Sequence, residues 1–481
     1  MSWLSPALAL ALSKRLPTAV LLSTALLCSP TRAQAPLPEP VRAALARAQL
    51  PEDSLYAWAA PIDGGPAWLA HQPSAPAHPA SVMKVVTSMA ALERLGPLFQ
   101  WHTPVYTQGA DIYVQGRGDP RLVNERLWLL LRRVMDVTGP VLRGDLVLDR
   151  GAYAIPVIDP GAFDGEPLKP YNVRPDALVV NQKSLLLNFR PDAARGVARL
   201  SPDTALAGVQ WPTSVPLRAG ACQDWRTTLG LDLSDPSRPR FTGGYPAACG
   251  ERDWPLAWPD AVGFNARAIE AQWRALGGQI RGRVRDGAVP AGATLVLEGL
   301  SPTLPEVLRD MNKHSNNLIA QHLMLALSPG QPETPATWEA ARAEVQALVQ
   351  SQGCRDDELV IDNGSGLSRE ERISPRCLGR LLQWAWTRQW MPELLGSLPV
   401  AGIETTARRV TSVAGQAHLK TGSLANVAAL AGVVHGADGR RHAVVVMLNH
   451  PLAAGAEARA VLDAVVGAAV GAVRTGCCAP D

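Results

Sequence analysis

The chain has 481 residues and a formal charge of +3, with 47% hydrophobic and 19% charged residues. That length allows two or three domains and a large core, and the composition excludes both a disordered chain and a bundle of membrane spans. The charge balance lacks the basic footprint of a nucleic-acid binder.

Residues 1–35 read as an export signal. Lys14 and Arg15 precede the apolar stretch Ala19–Leu27, and Ala33-Gln34-Ala35 suits a small-x-small cleavage site. The alternative is an N-terminal anchor, for which the apolar run is too short. The segment holds Lys14, Arg15 and Arg32 and no acid, so the mature chain is expected to be formally neutral. Six cysteines then remain, an even number in a compartment that permits disulfides. Cys222 and Cys249 bracket a segment rich in Gly, Pro and Trp and are expected to pair. Cys354–Cys377 is a second candidate, while Cys477 and Cys478 stay unassigned.

Residues 55–71 read as a hairpin, "LYAWAA" and "AWLAH" around a turn at Asp63-Gly64-Gly65. In "HPASVMKVVTSMAALERLG", residues 78–96, Val82, Val85, Val86, Met89 and Ala90 occupy much of a helix's circumference, which predicts a buried helix. From about 101 to 300 the chain reads as short strands and turns, among them "DLVLDR", "ALVVN", "SLLLNF" and "ATLVLEGL". From 301 the pattern is helical in "TLPEVLRDMNKHSNNLIAQHLMLAL". Two strands follow, "AALAGVVHG" and "HAVVVMLNH", joined at Asp438-Gly439, then a small-residue helix at about 454–472. That helix has no basic face, so it is expected to pack on the sheet rather than anchor the chain to a membrane. Strands and helices at both chain ends predict one α/β or α+β domain built from the two ends, with the middle inserted.

Lysine is scarce: Lys14, Lys84, Lys169, Lys183, Lys313 and Lys420 stand against 40 arginines. Lysine can lose its proton when desolvated, whereas arginine effectively cannot. Only Lys84 has a serine three residues before it. In a helix that spacing sets the amine of Lys84 beside the hydroxyl of Ser81, as a lysine base and a serine nucleophile require. Alone, Ser-x-x-Lys is more often a chance match on a solvated face. Two further pieces change its weight. Ser315-Asn316-Asn317 is a polar triplet between apolar helical stretches, and Lys420-Thr421-Gly422 leads into a strand. Ser-x-x-Lys, Ser-x-Asn and Lys-Thr-Gly in that order are the set found in penicillin-binding proteins and class A β-lactamases.

On these motifs, and on "GRGDPRL", "NGSGLSREERISP", "SLPVAGIE" and "HLKTGSL", the sequence resembles the D-alanyl-D-alanine carboxypeptidase/endopeptidase family, class C low-molecular-mass penicillin-binding proteins. The resemblance runs from about residue 40 to 470, and the 230 residues between Lys84 and Ser315 match its two inserted domains. It implies an α+β fold: a discontinuous penicillin-binding domain (36–102 and 306–481), with an antiparallel sheet flanked by helices and two nested β-rich insertions (103–189 with 280–305, and 190–279). It implies Ser81 as acylated nucleophile, Lys84 as its base, and Ser315 as proton relay to the leaving D-alanine. Asn317 would hold the substrate amide, and Lys420 and Thr421 the terminal carboxylate. Gly422 would let the substrate backbone approach, and the N–H groups of Ser81 and Ser423 would form the oxyanion hole. "FDGEPLKPYN" offers Asp164 or Glu166 and Tyr171 as the cleft acid and aromatic. Glu404-Thr405-Thr406 departs from the family's usual loop.

The resemblance implies a periplasmic enzyme with no cofactor. Its partners would be peptidoglycan stem peptides, D-alanine cross-links and β-lactams, with no nucleic acid and no strong membrane anchor. No histidine spacing suggests a metal site. A β-lactamase would need a base for fast deacylation, and none is evident. A non-enzymatic wall-binding scaffold would not need Lys84 and Lys420.

Overall fold

The computed structural model describes residues 36–437 and 439–471. The expected export signal, Asp438 of the expected turn, and Cys477 and Cys478 lie outside the described residues.

The near-continuous apolar run in Arg441–Asn449 is explained by burial on both faces. Ala443, Val445 and Met447 point into one core, and Val444, Val446 and Leu448 into another, following the two-residue alternation of a strand. This strand lies at the centre of a five-stranded antiparallel sheet. Its neighbours are Val427–His435 on one side and Leu55–Pro61 on the other, with Ala417–Leu424 and Leu69–His71 outermost. The Leu55–Pro61 strand pairs from Leu55↔Leu448 to Pro61↔His442, so the two ends of the chain close one sheet. Helices Glu39–Arg47 and Ala456–Gly471 cover one face. Met83–Leu95, Leu304–His314, Asn317–Ala326, Trp338–Ser351 and Pro375–Trp386 cover the other.

Met83–Leu95 is the innermost helix, with every residue from Met83 to Leu92 buried. A helix apolar on all sides belongs inside other helices. It stops at Gly96, whose φ of 78° lies in the left-handed region that favours glycine.

The middle of the chain forms two further five-stranded sheets. One spans residues within 102–149 and 284–300, the other residues within 184–257. They share one apolar core, in which Leu127, Leu148, Phe189, Tyr245 and Trp273 meet. Two expectations need correction here. "ALVVN" is not a strand. The Leu178 N–H is bonded to Asp176 Oδ1, the Val180 N–H to Asn265 Oδ1, and Asn265 Nδ2 donates to Leu178 O. Side chains thus satisfy this backbone without a ladder, while Leu178, Val179 and Val180 are buried. The region also contains two long helices, Asn124–Thr138 and Phe264–Ala275. The first buries Leu127, Leu130, Leu131, Val134 and Met135, a helical period within a stretch otherwise rich in strands.

Both Cys222–Cys249 and Cys354–Cys377 are disulfides. Among the described residues no helix is long and apolar enough to cross a membrane.

Candidate active site

Ser81 lies in the short 3-10 turn Ala80–Val82 that leads into Met83–Leu95. The turn is held in an uncommon conformation. Ala80 has a φ of 46°, and its N–H donates to His78 Nδ1 at 3.0 Å. His78 is itself tied to the Ser368 carbonyl and, through its backbone, to Asn449 of the central strand. A strained non-glycine residue beside a reactive group is a common property of functional sites.

Lys84 is fully buried one turn later. Its Nζ has three neighbours: Ser81 Oγ at 3.0 Å, Asn317 Oδ1 at 2.7 Å, and the Ser365 carbonyl. Burial first, and the nearby Lys420 second, hold the Lys84 pKa well below the ordinary lysine range, while Glu371 pulls the other way. The N-terminal end of the helix dipole also disfavours an ammonium at this position. A neutral amine has two N–H groups and one lone pair. The Asn317 and Ser365 oxygens take the two N–H groups, which leaves the lone pair for the Ser81 hydroxyl.

Ser315 caps helix Leu304–His314 in the left-handed region, φ 56°, and Asn317 opens the next helix. The kink between the helices sets both side chains toward the centre. Ser315 Oγ accepts from Lys420 Nζ at 3.0 Å. Asn317 reaches Lys84 through its oxygen, and its Nδ2 donates to the Tyr171 carbonyl at 3.1 Å. Lys420 is fully buried, and that burial lowers its pKa to about 7.

Lys420, Thr421, Gly422 and Ser423 lie on the outermost strand, Ala417–Leu424. Its free edge is closed by Pro399–Ala401 only as far as Leu419, whose N–H donates to the Pro399 carbonyl. By alternation the backbone of Thr421 and Ser423 faces the same open side. Gly422 is backed against the Ser81 turn. A Cβ there would lie 2.5 Å from the Pro79 carbonyl oxygen and 3.2 Å from the Ser81 nitrogen.

The structure therefore brings Ser81, Lys84, Ser315, Asn317 and the Lys420–Ser423 strand together. Tyr171 borders them through its backbone, while its hydroxyl donates to Asp164 Oδ2 at 2.9 Å. Asp164 also accepts from Asn172 Nδ2 and the Glu166 N–H, which ties it into its own loop. Glu166 is exposed, with Lys169 4.0 Å away. Glu404 anchors its loop: it accepts from buried Lys313 and from the Val400 N–H.

Glu371 is the residue that sequence reasoning misses. Its buried carboxylate accepts from the backbone N–H groups of Asp362, Asn363, Gly364 and Gly366, moulding the loop whose Ser365 carbonyl meets Lys84. Burial pushes its pKa up to about 6.

A serine–lysine pair at a helix start, with a second serine and a lysine strand opposite, on an antiparallel sheet covered by helices on both faces, fits the penicillin-binding serine peptidase class. The chain belongs to the D-Ala-D-Ala carboxypeptidase 3 (S13) family, which it matches over residues 38–469. It is 31% identical to the D-alanyl-D-alanine carboxypeptidase of Actinomadura sp. (strain R39) over 80% of this chain and 76% of that one. It is 25% identical to D-alanyl-D-alanine carboxypeptidase DacB of Haemophilus influenzae over 77% and 80% of the two chains. In fold it is similar to the crystal structure of penicillin binding protein 4 from Haemophilus influenzae. That match has a TM-score of 0.72 and 24% identity, covering 89% of this chain and 97% of the other.

Proposed function

We propose that the chain is a serine D-Ala-D-Ala carboxypeptidase and endopeptidase that cleaves peptidoglycan stem peptides through an acyl-enzyme on Ser81. The observation that carries this reading is the Lys84 amine, buried and placed so that only its lone pair is left for the Ser81 hydroxyl. Ser81 Oγ attacks the penultimate D-alanine carbonyl as its proton passes to Lys84 Nζ. The N–H groups of Ser81 and Ser423 receive the developing oxyanion. Ser315, beside Lys420, passes a proton to the departing amine, and water then releases the acyl group.

Lys420 and Thr421 bind the terminal carboxylate. At a pKa of about 7, Lys420 is partly protonated in the resting cleft, and an arriving carboxylate favours the charged form. Residues Thr421–Ser423 pair with the substrate as an added strand along the open edge. Glu166, with free lone pairs, is the better candidate of the two cleft acids for a substrate ammonium. The partition into a catalytic domain of 36–102 and 306–481, an insertion of 103–189 with 280–305, and an inner one of 190–279 is part of this proposal. Three separate five-stranded sheets support the nesting, while strand Ser184–Asp192, which lies whole in the inner sheet, straddles the 189/190 boundary. The family and the two disulfides support work outside the cytoplasm, and residence in the periplasm completes the reading.

The test is mass spectrometry of the intact protein after exposure to penicillin, whose tethered leaving group stalls hydrolysis. One adduct is expected on the wild type and none on Ser81→Ala. An adduct on Ser81→Ala would overturn the assignment.

A further inference from the structure

A cross-link joins two stem peptides, so an endopeptidase must seat the second as well as the acylated one. A cavity of about 640 Å³ lies beside the cleft. It adjoins the cleft along three segments. Gln321 lines it one helical turn after Asn317, on the same face of the helix. Val173 and Arg174 line it just after Tyr171, whose carbonyl meets Asn317. Asn363 lines it two residues before Ser365.

The wall of this cavity carries carboxylates, of which Asp176 pairs with Arg150 and Lys183 and Asp362 with Arg342, and it also holds buried donors that have no acceptor. Trp258 and Gln321 are 3% and 2% exposed, yet among the described residues Trp258 Nε1 and Gln321 Nε2 have no hydrogen-bond partner. The Nε of Arg174 is likewise buried and unpartnered. Among the described residues the Arg174 guanidinium has no ion pair, and its contact is the Asp159 carbonyl at 3.3 Å. Buried donors left unpaired are costly and rare, and three around one space call for a ligand rich in acceptor oxygens. Asp159, Asp362 and Asp164 act on the Arg174 guanidinium without pairing with it, and its unused N–H groups suit a carboxylate. The rim is apolar: Val157 is 100% and Val262 63% exposed.

We infer that this cavity is the subsite for the second stem peptide of a cross-linked substrate, with Arg174 binding a carboxylate of that strand and Trp258 and Gln321 its carbonyl oxygens. Stem peptides supply the matching chemistry: free carboxylates, amide carbonyls and alanine methyl groups. The inference rests on the function proposed above.

Cleavage kinetics of a cross-linked muropeptide dimer, a monomeric pentapeptide and penicillin test it, with wild type and Arg174→Gln compared. The dimer's KM is expected to rise about tenfold, the loss of one charge-assisted contact, at unchanged kcat. Pentapeptide cleavage and penicillin acylation are expected to stay within twofold. Trp258→Phe, which keeps an aromatic side chain but loses the pyrrole ring with its N–H, is expected to raise the dimer's KM more modestly. It decides the matter if Arg174→Gln fails to fold. Wild type that neither cleaves the dimer nor takes penicillin would overturn the proposed function itself. Wild type active on both, with the dimer's KM unmoved in the variants or moved equally for dimer and pentapeptide, would overturn the subsite alone.

Discussion

Lys84 and Glu371 pull against each other. In the proposed mechanism the lysine acts only when neutral, and Glu371, ionised above about pH 6, stabilises its charged form. The carboxylate is retained because it holds four backbone N–H groups that place the Ser365 carbonyl. Glu371→Gln separates the two effects. Gln keeps an acceptor for Asp362, Asn363 and Gly364 but turns an N–H toward Gly366, costing about 1–3 kcal/mol of stability. Losing the negative charge removes a term that raises the Lys84 pKa, so that pKa falls. Acylation, which needs neutral Lys84, should then persist to lower pH, with the acid limb moved down by about half a unit or more. The check is the penicillin acylation rate against pH for both proteins. An unmoved limb would mean that Glu371 acts through loop geometry alone. The meeting of Ser81, Lys84 and Lys420 is legible in the sequence because it follows from side chains at fixed spacings in ordered motifs. Glu371 is not, because its partners are backbone groups that leave no side-chain signature.

Among the elements, three segments converge on the Ser81 turn: the start of helix Met83–Leu95, the edge strand Ala417–Leu424, and the loop at 362–366. Gly366 shows how tight this is. Its φ is 81°, and a Cβ would lie 2.0 Å from the Ala80 carbonyl oxygen and 2.6 Å from the Ser81 nitrogen. Gly366→Ala should therefore cost about 2–4 kcal/mol, from backbone strain plus a clash with backbone that cannot swing away. It should also slow penicillin acylation at least tenfold by displacing the nucleophile. Gly353→Ala is the control, since its φ of 84° carries the same strain but its Cβ would meet open space. Thermal melts and acylation rates of the two variants check this, and acylation within twofold in Gly366→Ala would refute it. The strands and helices around the site are legible from period alone, as with the fully buried helix that carries Lys84. The segment "ALVVN" misleads because apolar residues report burial, and here Asp176 and Asn265 take the place of a neighbouring strand.

At the scale of the whole molecule, the chain leaves the terminal sheet and its helices and returns to them at one place. Trp101 and Ser301 exchange hydrogen bonds at 2.9 Å, and His102 pairs with Leu300. Chain-end strands with a different texture between them make an insertion legible in the sequence. The sharing of one core by both inserted sheets is not legible, because it depends on contacts between distant segments. The strand Ser184–Asp192 crosses the expected boundary at 189/190, and its Phe189 packs on Trp225, Phe241 and Tyr245. Helix Asn124–Thr138 shares that core with Ile269 and Trp273. Two excisions should therefore behave differently. Replacing 103–299 with a short turn joins neighbouring strand ends and removes the shared core entire. The remaining protein should stay soluble and still take penicillin on Ser81. It should do so more slowly, because Asn317 loses the Tyr171 carbonyl that orients it. Replacing 190–279 alone strips Phe189 and helix Asn124–Thr138 of their partners, leaving apolar surface that favours aggregation. Soluble yield, melting and penicillin labelling of the two proteins check this order. A 190–279 excision that melts cooperatively and labels as well as the larger one would show that the two inserted sheets fold independently.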